Sequence, residues 1–485
     1  MIEIQVNNLH SRIDKKKASK EEINFVHSIL SVQVPGAYFS KMYKMHLWDG
    51  KKHFFNRLTC QFYTGLVPFI VAGLQAKGIP AVVNDLRVKP EPKIHALELH
   101  GISLRNYQER MIQEALAAGR GVIAGATNSG KTECAAGIIQ ILGLPALFLT
   151  HRIGLLEQTH ERFELRLNRP IGWLGAGVRD LKDINIISVP TLHKRLADED
   201  EEIVKLVKET PVVIIDECHR SSARTFEECL KLSGAYYRFG LSATPFHRDD
   251  VSNLLVRGLL GDTVTAVSNT EMIEWGFSAK PTVYLIPVYV PDFTVRGKKG
   301  APYETIYDEA IVFNNYRNEA VAKSAKHFLD KGKSVFVMVW RIDHGTEIER
   351  WMHQYGIETT FISGQTPAKH NTQILKQFKQ KEIKCVISSS ISDEGIDVPA
   401  MDVLIICPGD KSPLKTIQRV GRSLRKKVDV PNVVTVIDFV DFTHRHLLNH
   451  ARERCSVYVK EKFKIYEVTT PDWDKIEEKS SGEEV

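Results

Sequence analysis

Eight residues, GATNSGKT from Gly125 to Thr132, fit the spacing G-x-x-x-x-G-K-[ST]. That spacing suits a loop around phosphates. Glycines let backbone N–H groups turn inward, the lysine reaches the β- and γ-phosphates, and the last hydroxyl ligates Mg2+. The candidate nucleotide contacts are Gly125, Thr127, Ser129, Gly130, Lys131 and Thr132, with Thr132 also a metal ligand. The same string also suits a Gly/Ser-rich turn ahead of a core helix. Farther on, PVVIIDECH ends an apolar run on Asp216 and Glu217. Asp216 can hold the metal, through water, and Glu217 can orient and deprotonate an attacking water. Alone, such a pair also reads as solvated acid at a strand end.

The flanking elements decide how much weight the loop carries. GVIAG (121–125) reads as a strand before it, and KTECAAGIIQILG as a helix after it that ends near Gly143. A helix N-terminus is where backbone donors and the macrodipole favour an anion. Further strand candidates are PALFLT (145–150), INIISV (184–189), PVVIID (211–216) and YRFGLS (237–242). A second series comprises SVFVMVW (334–340), ETTFIS (358–363), KCVISSS (384–390), DVLIIC (402–407) and VVTVIDF (433–439). Short β-branched runs separated by amphipathic segments predict parallel sheets covered on both faces. The chain thus reads as two successive α/β domains, with phosphate-loop chemistry in the first.

Composition sets the outer bounds. A chain of 485 residues exceeds one core and suggests roughly two to four domains. Hydrophobic content of 43% and charged content of 26% are those of a soluble globular protein. No apolar run approaches the ~20 residues that span a bilayer, and the first residues lack a signal-peptide core. Seven cysteines without a CxxC pair predict reduced thiols, a cytoplasmic protein and no structural zinc. The net charge of +6 permits nucleic-acid binding without requiring it.

DECH followed by LSATP (241–245) resembles motifs II and III of the superfamily 2 helicases, and other motifs follow in order over roughly 100–440. LRNYQ (104–108) is similar to the adenine-reading motif, which implies that Gln108 meets the base edge and Arg105 packs on the base. LTHRIGLLEQ (149–158) and SVPTLHKRL (188–196) resemble the strand-contacting motifs Ia and Ic. SSISDEGIDVP (389–399) looks like motif V, placing Gly395 and Asp397 at the nucleotide, and QRVGRSLR (418–425) looks like motif VI. By this resemblance Arg422 and Arg425 are arginine fingers that stabilise charge on the γ-phosphoryl oxygens, while Gln418 and Arg419 bridge to the nucleotide or to Asp216 and Glu217. Taken alone, GRSLRKK is a basic helix face.

The resemblance implies two tandem RecA-like parallel-sheet domains that close on ATP and Mg2+ and grip a nucleic-acid backbone with little sequence preference. Its candidate grips are His151, Arg152 and Thr191 in the first lobe, and Trp340, Arg341, Ser363, Gly364 and Ser390 in the second. Each is equally readable as a polar loop residue. Ser242 and Thr244 would couple the ATP site to the grip. Residues 259–288 resemble the connector between the lobes, and the Gly- and Lys-rich front of 294–318 reads as an exposed loop.

Residues 1–96 form a separate small α+β accessory domain in this reading, followed by lobes at 97–275 and 276–460 and an acidic polar tail at 461–485. KMYKMHLWDGKKHFFNR (41–57) interleaves cations with aromatics, most of them expected in the core; Trp48, Lys51 and Lys52 are the candidate DNA contacts. The pattern WDGKKHFF…TGLVPFIVAGLQAKG resembles the accessory domain of bacteriophage UvsW-type helicases. That implies a monomeric ATP-dependent DNA helicase or translocase that remodels forks, Holliday junctions or R-loops in recombination, repair or replication. Its setting would be the host cytoplasm, with single-strand-binding or recombination proteins as partners. An RNA helicase is the alternative, although DECH departs from DEAD and QRVGRSLR from the HRIGRTGR wording of RNA-unwinding relatives. An ATP-dependent clamp without processive movement would carry the same motifs. A restriction subunit is disfavoured for want of a PD…ExK constellation.

Overall fold

The apolar runs of the first half become neighbours in one sheet of eight strands. The computed structural model describes residues 1–93, 95–151, 153–219, 223–246, 251–289, 302–389, 401–409, 433–468 and Trp473. From one edge the strand order is Val178–Asp180, Gly172–Gly175, Ile184–Ser188, Ala146–Thr150, Val212–Ile215, Tyr237–Ser242, Arg120–Gly125 and Thr263–Val267. Only the outermost pair, Gly172–Gly175 with Val178–Asp180, is antiparallel. Four of the central strands are buried along their whole length. A sheet covered on both faces needs this, and it is why these segments read as unbroken apolar runs.

The second sheet has seven strands, in the order Thr360–Ile362, Cys385–Ser389, Val335–Val339, Val403–Ile406, Val433–Asp441, Lys280–Val288 and Lys464–Glu467. Every neighbouring pair is parallel. The Lys280–Val288 strand lies within the stretch read as connector, where Pro281 and Pro287 argue against a strand with two neighbours. Both prolines fall outside the four residues, Thr282–Leu285, that pair with Lys464–Glu467.

That last strand corrects the reading of 461–485 as a polar tail. Lys464–Glu467 forms an edge of the second sheet, and beyond it Val468 and Trp473 are buried in the domain's core. Trp473 Nε1 donates to Ser324 Oγ at 3.2 Å. The acids of this stretch set its average composition and hid the few apolar anchors that fold it. Residues 302–318, read together with an exposed loop, form a helix over Tyr303–Tyr307 and a π-turn over Asp308–Val312 whose apolar side chains are buried; the front of that loop lies outside the described residues.

The N-terminal segment builds its own five-stranded sheet, ordered Phe55–Asn56, Gln61–Tyr63, His10–Ile13, Ile2–Val6 and Ala81–Asp85. Only its last pair is parallel. Helices Lys20–Ile29, opened by a Ser19/Glu22 capping box, and Val67–Ala76 accompany it. One apolar core runs from Ile2 and Phe62 through to Leu149 and Leu260, so this small α+β domain is fused to the first large sheet. The approach is close: a Cβ on Gly65 would lie 2.1 Å from the Arg257 carbonyl oxygen. Tyr63 donates its hydroxyl to Glu227, and Asn8 Nδ2 donates to Gly234 O at 2.8 Å. The chain divides into two compact units, Met1–Val267 and Ser268–Val485. Among the described residues, no helix is long and apolar enough to cross a membrane.

Candidate functional site

Strand register gathers the first-unit motifs at one end of the first sheet. Ser242 pairs with Ala124, Ile215 with both Gly240 and Leu149, and Ser188 with Thr150. The loop after Gly125, the acids after Ile215, His151 after Thr150 and the LSATP turn therefore all leave from C-terminal strand ends. In open parallel sheets that rim is where ligands bind.

The phosphate loop itself is braced from behind. Ser129 O accepts from the Tyr107 hydroxyl and from Gln108 Nε2, each at 2.9 Å. Gln108 Oε1 accepts from the Arg105 backbone N–H at 2.9 Å, and Arg105 Nη1 donates to the Tyr107 hydroxyl at 3.0 Å. The residues expected to read adenine thus hold the loop as well, and Gln108 keeps one N–H and one lone pair for a base edge. Tyr107 was not singled out from the sequence, though it stands inside LRNYQ.

Gly130 caps the helix Lys131–Leu142 at φ +79°, and a Cβ there would lie 2.2 Å from Gln108 Nε2. Both the left-handed backbone and the close brace demand glycine. Lys131 Nζ donates to Gly125 O at 2.9 Å and Ala126 O at 3.2 Å, so the ammonium lies over the mouth of the loop. Ser129 Oγ is buried without a hydrogen-bond partner. An orphaned hydroxyl beside a lysine and a helix N-terminus fits the charge and hydrogen-bonding needs of a nucleotide phosphate. Thr132 and Asp216 are each half-buried. One hydroxyl and one carboxylate suit Mg2+, which keeps several waters and takes few protein ligands.

Asp216 Oδ1 accepts from the Glu217 backbone N–H at 3.0 Å. Glu217 itself sits at φ +47°, and its Oε2 is buried without a hydrogen-bond partner, 3.4 Å from His219 Nδ1. A non-glycine residue in the left-handed region carries about 1–3 kcal/mol of strain, the kind of cost that clusters at functional sites. His219 Nδ1 lies 2.8 Å from Ser242 Oγ, which also accepts from the Thr244 N–H at 3.1 Å. A chain of contacts therefore joins the DECH acids to the LSATP turn. His219, its middle member, was overlooked although its letter ends DECH. Burial pushes the Cys134 thiol up to about 12 and raises Cys218 as well, so neither thiol ionises beside the acids.

In the second unit the same rim of the sheet carries Trp340, Arg341, Ser363 and Gly364, since Val339 pairs with Ser389 and Ile362 with Ser388. Arg341 bonds to Asp308 and, through Nε, to Asp343 Oδ1 at 3.0 Å. Ser363 Oγ accepts from the Gln365 N–H at 3.3 Å and lies 3.4 Å from Thr366 Oγ1. Trp340 is partly exposed and Gly364 exposed. In the first unit Thr191 lies in the helix Val189–Ala197. In the accessory domain Lys51 and Lys52 are exposed, whereas Trp48 is half-buried. Of its aromatic neighbours, Phe54 and Phe55 are core and Tyr43 is not. Arg152, Ser390, Gly395, Asp397, Gln418, Arg419, Arg422 and Arg425 lie outside the described residues.

Residues 101–247 match the family described as type III restriction enzyme, res subunit, and residues 308–427 match the helicase conserved C-terminal domain. Helicase 22 of Sulfolobus islandicus filamentous virus, a helicase by inference in its own name, is 25% identical over 70% of this chain; the match spans 65% of the viral protein. The ATP-dependent DNA helicase uvsW of Enterobacteria phage T4 is 24% identical over 94% of this chain and 96% of its own length. Among solved structures, a fragment assigned to an HsdR subunit of a type I restriction enzyme from Vibrio vulnificus superposes with a TM-score of 0.56 at 18% identity, covering 79% of this chain and 70% of that one. That last likeness concerns the fold alone. The two domain families are thus matched in order, one on each of the two parallel sheets, and the chain is similar to superfamily 2 helicases of the UvsW type.

Proposed function

We propose that the protein is an ATP-dependent DNA helicase or translocase that remodels branched DNA. The observation that supports it most is the braced phosphate loop, whose buried Ser129 hydroxyl and Lys131 ammonium face the same rim as Asp216 and Glu217. In this reading the loop N–H groups and Lys131 bind the β- and γ-phosphates, and Gln108 and Arg105 hold the base. Glu217 takes a proton from the attacking water, with His219 beside its carboxylate and Ser242 positioning His219. Mg2+, held by Thr132 and Asp216, supplies charge neutralisation. Arg422 and Arg425 complete the charge stabilisation in this reading.

The DNA preference draws on the nearly end-to-end likeness to a phage protein named as a DNA helicase. One assay tests both parts. ATP turnover and strand displacement are measured on four-way, forked and single-stranded DNA and on single-stranded RNA. Branched DNA is expected to stimulate turnover most and to be unwound or migrated. Stronger stimulation by RNA would replace the DNA reading with an RNA helicase, and turnover without displacement would replace it with a clamp.

A further inference from the structure

Outside the motor, the accessory domain exposes a run of apolar side chains that no core claims. Tyr38 is 60%, Phe39 72%, Met42 52% and Met45 65% accessible to solvent. We propose that this run, on the turns Ala37–Phe39 and Lys41–Lys44, is a stacking platform for unpaired bases of a DNA strand. The proposal deepens the nucleic-acid reading above and rests on it.

The platform is pinned in place. Its two flanks are zipped together by the antiparallel ribbon of Ser31–Gln33 with Lys51–His53. Val34 N–H and Gln33 Nε2 both donate to Gly50 O, at 2.8 and 3.0 Å. Trp48 Nε1 donates to Lys51 O at 2.8 Å, so the indole fixes the returning strand. Tyr38 and Phe39 are the most exposed of the rings on these turns, and their centroids lie 4.2 Å apart at an interplanar angle of 40°.

Charge selects the partner. Lys41 and Lys44 alternate with the apolar groups, and Lys51 and Lys52 follow on the adjoining strand; all are exposed. From Gly36 to Arg57 the only acid is Asp49, and it is already engaged by His53 Nε2 at 3.1 Å and by the Lys51 N–H at 3.0 Å. Lysine is depleted at the centre of protein–protein interfaces, whereas cations interleaved with aromatic faces track a phosphate backbone while its bases stack. A duplex hides its base faces, so the surface suits an unpaired arm better than a continuous helix.

The test uses the full chain with two double substitutions, Tyr38→Ala/Phe39→Ala and Lys41→Ala/Lys44→Ala, all at exposed positions. Each is titrated at several salt concentrations against a fork carrying 2-aminopurine in its single-stranded arm, the matched single strand and a blunt duplex. The aromatic pair is expected to weaken fork and single-strand binding about tenfold or more and to abolish quenching of 2-aminopurine, with duplex affinity and salt slope kept. The lysine pair is expected to flatten the slope of log K against log salt by about 1.4–1.8. Fork and single-strand affinities within twofold of wild type for the aromatic pair would overturn the platform, as would an equal loss on duplex. Sedimentation showing a wild-type dimer that the aromatic pair dissolves would overturn it in favour of a surface between copies. Wild-type ATP turnover separates the two readings: if no nucleic acid stimulates it, the motor reading fails, while the platform is judged on binding.

Discussion

The two parallel sheets carry polar residues at the same rim and treat them differently. On the first, Ser129 Oγ and Glu217 Oε2 are buried without hydrogen-bond partners, and Glu217 is held in a strained backbone conformation. On the second, among the described residues, Arg341 is bonded to two aspartates and Ser363 is tied into its own turn, while Ser389 Oγ at the strand end is buried without a partner. Deeper in that unit, Arg317 is wholly buried, with Nε donating to Asp441 Oδ1 at 2.9 Å. The face of Phe439, 4.5 Å from the guanidinium, stands in for the bonds its Nη atoms lack. A buried polar group without a partner costs about 1–3 kcal/mol. Paired charges instead fix shape. The contrast lies in the charged groups: the Glu217 carboxylate is left open at the first rim, and the Arg341 guanidinium is paired at the second.

The harshest way to break this contrast is at Glu217. Glu217→Gln keeps size and hydrogen-bonding capacity but removes the base. Turnover of ATP is expected to fall about 10²–10⁴-fold, with nucleotide affinity, read by fluorescence titration, changed only a few-fold. Loss of less than tenfold would remove Glu217 from the reaction. Lys131→Ala should also stop turnover, but through weakened nucleotide binding.

On the second sheet the expected damage is to stability. Arg317→Met leaves Asp441 as an uncompensated buried carboxylate, whose burial already pushes its pKa upward. Breaking such a pair typically costs about 3–5 kcal/mol. Chemical denaturation should show that loss in the unit Ser268–Val485 while nucleotide binding at Lys131 persists. Replacing both partners, Arg317→Met with Asp441→Leu, should restore much of it. A single substitution that leaves the denaturation midpoint unmoved would mean the pair is dispensable.

A smaller effect, opposite in sign between states, is expected at Ser129. Ser129→Ala removes a hydroxyl that has no protein partner. Without nucleotide the melting temperature should hold or rise. With nucleotide the gain on binding should shrink, by the roughly 1 kcal/mol of one hydrogen bond. A drop in the nucleotide-free melting temperature would show that the hydroxyl is structural.

Much of the first rim was legible because its chemistry is local in sequence. The loop needs glycine at 130 and a lysine beside it, and the acids directly follow a strand of four buried residues, so spacing alone locates them. The brace by Tyr107 and the His219–Ser242 contact were not legible, since each joins motifs far apart in the chain. Strands with mixed signals were also missed. Thr263–Val267 alternates exposure at a sheet edge, and Lys280–Val288 carries prolines that only its register excuses. The folding of Lys464–Glu467 and Trp473 was masked by acidic neighbours. In the accessory domain, composition could say that aromatics and lysines interleave, but only burial could say that Phe54 and Phe55 face inward while Tyr38 and Phe39 face out.

The smallest effect is expected at Arg341, which the sequence nominated as a nucleic-acid grip. Its guanidinium is held by Asp343 and Asp308, and those bonds raise its pKa further. Two carboxylates around one cation leave that spot with no net positive charge to offer a phosphate. Arg341→Ala should therefore change DNA affinity by less than about twofold, since exposed ion pairs contribute roughly 0–1 kcal/mol, and should leave the salt slope unchanged. Asp308→Asn with Asp343→Asn should do more, because it frees the cation: affinity should rise and the slope steepen by close to 0.9, the share of one phosphate contact. If Arg341→Ala instead flattens the slope, the arginine leaves its aspartates when DNA binds. The second rim would then be a grip that is latched until its strand arrives, and the contrast between the two sheets would be one of timing.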